Sequence, residues 1–232
     1  MTTIGFLHTS PVHVSTFETL VAEADASMET MAVVDEALLA DARRDGLDDH
    51  ALHLAVRRAV ADLAARGAGV VVCTCSTIGS VAEHAGELQG VEVFRVDRPM
   101  AEEAVRLASA GAGRIGVVTA LESTVGPTHD LLESVAAEQS APVEIEMVLS
   151  DGAWAQFEAG DVDGYLDTIA ATCADCAEGL DVIVLAQASM ADAVGRYSGP
   201  VPVLASPQLA VTTALARLAT PPPTEPPATL ES

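Results

Sequence analysis

The sequence predicts an α/β fold of two similar parallel-sheet halves, related by a pseudo-twofold axis, with a cleft between them. Short apolar, β-branched runs alternate with helical segments along the 232 residues, as in parallel sheets joined by crossover helices. The opening run Ile4-Gly-Phe-Leu is matched 111 residues later by Ile115-Gly-Val-Val, and the run from Gly67 is matched 112 residues later by the run from Gly179. Such near-equal shifts indicate a duplicated unit.

The duplication divides the chain into a first half at 1–112 and a second half at 113–220, with an exchange of C-terminal residues between the halves left open. Each half is expected to hold about four parallel strands. Residues 221–232 are rich in proline, and we expect them to be disordered.

Apolar spacing and glycine or proline signals locate the elements of the first half. Leu52, Val56 and Val60 recur at helical spacing, and Gly67 ends that helix. Pro99 fits the first turn of a later helix. The predicted strands are 4–7, 31–34, 70–72 and 91–96, and the predicted helices are 17–27, 48–66, one beginning at Ser76 or Thr77, and 99–110.

The second half repeats this alternation, with Pro127 in the first turn of its first helix. Its predicted strands are 115–119, 143–149 and 201–204, together with a strand-to-turn segment at 181–190. Its predicted helices are 124–138, 161–178 and 207–218.

Composition excludes several functions. The formal charge is −23, and all 11 basic residues are arginine, which argues against binding nucleic-acid backbones. Without lysine, neither a Schiff base nor the usual attachment of pyridoxal phosphate is available. No apolar run approaches the roughly 20 residues of a membrane span, and the N-terminus lacks a signal-peptide pattern. We expect a cytoplasmic protein with no cofactor and with neither nucleic-acid nor membrane partners.

Cys75 is the first candidate for chemistry. It lies where a buried strand is predicted to become a helix, beside unpaired backbone N–H groups that favour a thiolate. The alternative is a small buried hydrophobic residue. Because open parallel sheets bind ligands at their carboxyl edges, we favour the functional interpretation.

The other three cysteines are interpreted as core residues. Cys73 has the same strand parity as Cys75 and lies deeper in the strand. The pair Cys173-Ala-Asp-Cys176 has redox or metal spacing, but it falls within a predicted helix, where cysteines three residues apart pack on one core face. We predict no metal site.

At these positions the chain resembles the Asp/Glu racemase superfamily, which includes amino-acid and hydantoin racemases, maleate isomerase and arylmalonate decarboxylase. The resemblance covers about residues 3–218 and rests on the first strand with its polar loop, Cys75-Ser76-Thr77 after a buried strand, Val96-Asp-Arg-Pro-Met100, Ile115-Gly-Val-Val-Thr with Ser123-Thr124, and Asp181-Val-Ile-Val-Leu. It implies cofactor-independent chemistry next to a carboxylate, carried out by two cysteines on opposite faces of a small carboxylic acid. It also implies a homodimer or larger homo-oligomer.

Cys75 matches the first of these two cysteines. Where the second is expected, the chain has Ala186-Gln-Ala-Ser-Met190, so Gln187 is the counterpart of Cys75 and Ser189 the counterpart of Thr77. An amide does not transfer protons near neutral pH, and Gln187 is instead predicted to donate a hydrogen bond to a developing oxyanion.

His8 ends the first strand and is predicted to serve as the second acid–base group or as an ion-pair partner of the thiolate. Its alternative role is a hydrogen-bonded core histidine, and His13 and His129 are weaker candidates. The predicted catalytic residues are Cys75, His8 and Gln187, and the predicted substrate-binding residues are Thr9, Ser10, Ser76, Thr77, Thr119, Thr124 and Ser189. Turn or helix capping is the alternative for Thr9, Ser10 and Thr124.

The predicted function is a cofactor-independent racemase or isomerase that acts next to the carboxylate of a small acid or amino acid through a single cysteine thiolate. One alternative is a one-cysteine decarboxylase or lyase of malonate-type acids. Another is a non-catalytic protein that binds small carboxylates. A zinc or redox protein using all four cysteines is a more distant alternative.

Overall fold

The structure is a computed structural model and describes residues 3–219. The predicted tail at 221–232 lies outside the described residues. The first sheet and its connections consist of β1 (Thr3–His8), α1 (Val12–Ala24), β2 (Glu29–Val34), α2 (Glu36–Asp45), α3 (His50–Ala65), β3 (Ala68–Cys73), α4 (Gly79–Gln89) and β4 (Val93–Arg95). The chain continues with α5 (Arg98–Ser109), β5 (Arg114–Thr119), a 3-10 turn (Glu122–Thr124), α6 (Val125–Glu138), β6 (Glu144–Leu149), α7 (Ala153–Glu158), α8 (Val162–Cys176), β7 (Val182–Leu185), a 3-10 helix (Ala188–Arg196), β8 (Val203–Ala205) and α9 (Ser206–Ala219).

The two sheets have the same architecture. The strand orders are β2-β1-β3-β4 and β6-β5-β7-β8, and every pairing is parallel. The central strand of each sheet is buried almost throughout because helices cover both faces. The predicted fold, two similar parallel-sheet α/β halves with a cleft between them, is confirmed. Within residues 3–219, no helix is both long and apolar enough to cross a membrane.

Backbone hydrogen bonds establish which positions of the halves are equivalent. Thr74 N–H donates to Leu7 O at 3.0 Å, and Ala186 N–H donates to Val118 O at the same distance. Thr74 and Ala186 are therefore equivalent positions. The residues that follow them, Cys75 and Gln187, are equivalent as well.

A second pair of bonds relates the ends of β1 and β5. His8 O accepts from Asp35 N–H at 2.9 Å, and Thr119 O accepts from Ser150 N–H at 2.7 Å. His8 and Thr119 are thus counterparts.

Each sheet is covered in part by a helix that lies outside its own run of strands. This helix is α5, before β5, for the second sheet and α9, at the end of the described chain, for the first sheet. Helix α5 packs through Met100, Ala104 and Val105 against the strands of the second sheet. Helix α9 packs through Ala210 and Val211 against β1 and α1 of the first half. The chain therefore crosses between the halves at α5 and again at α9.

Several local features differ from the predictions. The first helix begins at Val12, five residues before its predicted start at residue 17. The helix after Cys75 begins at Gly79, with Ile78 as its N-cap and no side-chain cap, so the predicted cap at Ser76 or Thr77 is wrong. These two residues form a turn instead, in which Ser76 O accepts a hydrogen bond from Gly79 N–H. Helices α2 and α7, which were not predicted, follow the edge strands of the two sheets.

Candidate active site

A cleft of about 430 Å³ opens at the carboxyl ends of the two sheets. Its floor comes from the segments that follow β1, β3, β5 and β7, and its sides come from the unpredicted helices α2 and α7. Eight of the ten predicted site residues line it: Thr9, Ser10, Cys75, Ser76, Thr77, Thr124, Gln187 and Ser189. The floor therefore combines one thiol, one amide and hydroxyl groups from both halves.

Of the four cysteines, all of which the structure describes, Cys75 alone lines the cleft. It lies two residues after the buried end of β3, directly after Thr74, and it is 9% exposed. Cys73 is fully buried two residues earlier, its Sγ lies 3.6 Å from Cys75 O, and burial raises the pKa of its thiol. Burial also raises the pKa of Cys173, to about 12. Cys73, in the strand, is therefore a core residue, whereas Cys75 is available to a ligand.

Gln187 holds its side-chain amide in one orientation at the cleft. Its Oε1 accepts a hydrogen bond from Ala120 N–H at 2.8 Å. Its Nε2 is buried and has no hydrogen-bond partner within residues 3–219. A buried donor without a partner is costly, which makes this amide a candidate to bind a ligand oxygen.

His8 lies behind the cleft wall and is 1% exposed. On β1 it shares a face with Phe6, on which its ring stacks with centroids 5.6 Å apart, and the ring of Phe17 on α1 lies 5.9 Å away. Its Nδ1 is 2.7 Å from Thr74 Oγ1, which itself donates to Leu7 O at 3.2 Å. The Thr74 hydroxyl thus connects the His8 ring with the backbone of β1.

Burial, with a smaller contribution from the nearby His13, lowers the pKa of His8 from 6.5 to about 4. The imidazole is therefore neutral near pH 7. Because His8 does not line the cleft, its structural position is that of a support for Thr74, directly before Cys75.

His13 is the histidine that lines the cleft. It lies in the first turn of α1, and burial lowers its pKa from 6.5. Sequence reasoning favoured His8 because it directly ends a strand, whereas the loop of residues 9–11 carries the next histidine to the ligand side.

The remaining candidates either lie outside the cleft or have a hydroxyl that is already used. Thr119 is fully buried outside the cleft lining, and its Oγ1 has no partner among the described residues. Thr124 lines the cleft and precedes α6, but its hydroxyl donates to Leu121 O at 2.7 Å and does not cap the helix. His129 lies with Asp130 and Glu133 on α6, away from the cleft lining.

The sides of the cleft contain residues that sequence reasoning missed. Helix α2 contributes Glu36, Leu39, Ala40 and Arg43, and α7 contributes Trp154 and Phe157. The spacing of each set, three or four residues, is that of one helix face. The sequence carried one signal for each helix. Asp35 is a capping residue before a run of strong helix formers in α2, and α7 contains an isolated Trp-x-x-Phe in a chain with one tryptophan.

A buried ion pair holds the turn after Cys75 against the second half. Arg95 Nε and Nη2 donate to Asp97 at 2.6 and 2.8 Å, and the pair is almost wholly buried. Arg95 Nη2 also lies within 3.2 Å of Ser76 O and 3.3 Å of Pro127 O, on α6. One guanidinium thus connects the Cys75 turn with the helix that follows Thr124.

Comparisons with known proteins agree with this arrangement. A family model described as Asp/Glu/Hydantoin racemase matches residues 9–214, which confirms the resemblance. No curated protein matches the sequence significantly.

Solved structures share the fold at low sequence identity. The aspartate racemase of Picrophilus torridus is 12% identical, with a TM-score of 0.69 over 94% of this chain and 95% of that chain. The glutamate racemase of Bacillus anthracis is 15% identical, with a TM-score of 0.64 over 94% and 82%. A mutant of arylmalonate decarboxylase is 18% identical, with a TM-score of 0.58 over 94% and 93%. At identities this low, the structural similarity shows a common fold and nothing more.

Proposed function

The chain belongs to the Asp/Glu/hydantoin racemase family, and we propose that it is a cofactor-independent racemase or isomerase acting at the carbon next to a carboxylate. Cys75 is the acid–base thiol of this proposal. The observation that carries it is the pairing of equivalent positions across the cleft, where one half presents a thiol and the other an amide with an unused donor.

The substrate carboxylate is held among the hydroxyl groups of the cleft floor. Thr9 and Ser10 come from the first half beside the turn of Ser76 and Thr77, and Ser189 comes from the second half. Neutral donors from two sides fix the orientation of a carboxylate without a metal or an added cofactor.

The reaction begins when the Cys75 thiolate removes the proton from the carbon next to the carboxylate. The electron pair left on that carbon delocalises into the carboxylate, which becomes an enediolate. Gln187 Nε2 donates to the oxygen that gains charge, because its amide is already oriented by Ala120 N–H.

Inversion needs a second group that delivers a proton from the other face. His13 is the proposed donor, since it is the histidine that lines the same cleft as Cys75. The proton taken by Cys75 and the proton given by His13 balance, and the reverse reaction exchanges the two roles.

A one-thiol decarboxylase is the second candidate, and Gln187 is the observation that favours it. An amide at the position opposite Cys75 can stabilise charge but cannot supply a proton. In this reaction a malonate-type acid loses carbon dioxide, its electron pair remains on the central carbon, and the Cys75 thiol protonates that carbon from one face. Solvent then restores the thiol.

These two reactions are separated by incubation in heavy water. Single enantiomers of small amino and hydroxy acids, and substituted malonates, are added to wild type, Cys75→Ala and His13→Gln, and are followed by NMR and chiral chromatography. We expect deuterium uptake with loss of optical purity in wild type, no uptake in Cys75→Ala, and uptake with retained configuration in His13→Gln.

Loss of carbon dioxide to give one enantiomer would instead establish the decarboxylase. Full activity of Cys75→Ala on any acid that turns over would refute both. Ligand-induced thermal stabilisation without turnover of any acid would contradict both reactions and support a binding protein.

A further inference from the structure

The aromatic residues of this chain are few, and two of them form one side of the cleft. The sequence contains 4 Phe, 2 Tyr and 1 Trp. Phe6, Phe17 and Phe94 are fully buried in the core of the first half. Trp154 and Phe157, by contrast, are only partly buried and line the cleft. The single tryptophan is therefore at the ligand site.

The two rings form a supported wall. Their centroids are 4.9 Å apart with an interplanar angle of 28°, and Phe157 packs against the buried Tyr165 at 5.2 Å. Tyr165 in turn bonds Ser189 Oγ at 2.9 Å, on the cleft floor. Because the wall is tied to the floor, its apolar surface has a fixed place relative to the donors that hold the carboxylate.

The remaining sides of the cleft are also largely apolar. Leu39 and Ala40 of α2 contribute, as do Val12 of α1 and Leu121 after β5. Apolar side chains around a few placed polar groups are the usual composition of a small-molecule site, and a volume of about 430 Å³ is in the usual range.

The cleft offers no buried cation to a second carboxylate. Arg43 is exposed, and it shares its face of α2 with the exposed Glu36. An exposed cation is screened by water and salt. Within residues 3–219 no buried arginine lines the cleft, since the buried Arg95 is paired with Asp97 outside it.

We propose that the substrate is a small carboxylic acid whose substituent next to the carboxylate is an aromatic or similarly flat apolar group. The carboxylate lies among the hydroxyl groups of the floor, and the ring lies against Trp154 and Phe157. A dicarboxylic amino acid is thereby disfavoured. The inference shares its carboxylate site with the proposed function, but the wall and the charges support it independently of the reaction.

Trp154 supplies the measurement, because it is the only tryptophan and its fluorescence reports the cleft directly. Phenylacetate, acetate and succinate are titrated into wild type and into Cys75→Ala, where turnover cannot interfere. These acids differ in having a ring, no substituent, or a second carboxylate. We expect phenylacetate to bind at least about tenfold more tightly than acetate or succinate, equally in both proteins.

Two variants test the wall itself, with binding measured by calorimetry. Phe157→Ala should weaken phenylacetate binding about tenfold and leave acetate unchanged, whereas Trp154→Phe should largely retain phenylacetate binding. Leu88→Ala, on the exposed face of α4, is the control that changes neither. Thermal melts verify that each variant is folded, and Trp154→Phe keeps the test decisive if Phe157→Ala does not fold.

Tighter binding of succinate than of phenylacetate would overturn the inference, as would an equal loss for all three acids in Phe157→Ala or the absence of saturable binding. Phenylacetate binding to both proteins, with no acid turned over by wild type, would leave the inference standing and refute only the proposed reaction.

Discussion

The two halves share a backbone frame but divide the chemistry unequally. At equivalent positions the first half has His8, Thr74 and Cys75, and the second half has Thr119, Ala186 and Gln187. In the first set His8 and Thr74 share a hydrogen bond, and Cys75 directly follows Thr74 along the chain. In the second set one hydroxyl has no partner, and the amide is oriented but leaves a donor free.

This difference shows what a duplicated fold fixes and what it leaves variable. Both halves keep the geometry of strand ends at a sheet edge, which is where ligands bind. The residues at those ends are free to differ. In the proposed reaction one half supplies the groups that transfer protons, Cys75 and His13, and the other supplies a hydrogen-bond donor and an aromatic wall.

The largest expected effect concerns the ion pair that joins the halves. Arg95→Ala leaves the Asp97 carboxylate buried, 1% exposed, without its partner. We expect a loss of about 3–5 kcal/mol in the free energy of unfolding, measured by urea denaturation. Arg106→Ala is the matched control, because its pair with Glu103 is exposed on one helix, and it should cost under about 1 kcal/mol. Equal losses in both variants would contradict the cost assigned to leaving the Asp97 carboxylate buried without a partner.

The next effect tests the buried histidine of the first half through pH. The folded-state pKa of His8 is about 4, below the ordinary 6.5, so the unfolded chain binds the proton first as the pH falls. The stability due to neutral His8 is complete above pH 6.5 and is lost between pH 6.5 and 4, by up to about 3 kcal/mol.

Urea denaturation of wild type and His8→Asn across this range checks that prediction. In the variant, the free energy of unfolding should decline much less between pH 6.5 and 4 than in wild type, whatever its value at pH 7. An unchanged slope in the variant would assign the decline to other groups.

The donor of the second half is tested by Gln187→Glu. The new carboxylate still accepts from Ala120 N–H, but it replaces the free Nε2 donor with an acceptor. We expect kcat to fall about 100-fold with little change in KM, measured by steady-state kinetics on the acid that turns over in the heavy-water panel. A change confined to KM would mean that Gln187 binds the substrate without stabilising charge.

The smallest effect concerns Thr119, the counterpart of His8. Thr119→Val removes a fully buried hydroxyl that has no partner and keeps the shape of the side chain. The free energy of unfolding should stay constant or rise by about 1 kcal/mol, as measured by thermal and urea unfolding. A loss greater than that would indicate a hydrogen bond made by this hydroxyl.

Sequence reasoning predicted the halves because β-branched strands and their spacing recur in both. It placed Cys75 and Gln187 at equivalent positions for the same reason, and backbone hydrogen bonds agree. It could not place His8, because a terminal strand residue points to one of two covered faces. Its face, shared with Phe6, lies under α1.

The cleft walls and the ion pair required the structure. Helices α2 and α7 are short, with 10 and 6 residues, and their cleft faces mix charged, apolar and aromatic side chains, so no strong helical periodicity marks them. The Arg95–Asp97 pair joins two residues at strand-end and loop positions, and no periodic pattern indicates that a charge there is buried. The substrate inference depends on these walls and was therefore beyond the sequence.

The most direct test of the central claim is deuterium exchange at the carbon next to the carboxylate, compared in Cys75→Ala and Cys73→Ala. Both variants remove one thiol from the same segment, but only Cys75 lines the cleft. We expect exchange to fall by about a thousandfold in Cys75→Ala and to persist in folded Cys73→Ala. Exchange that survives in Cys75→Ala would contradict the assignment of this thiol as the acid–base group.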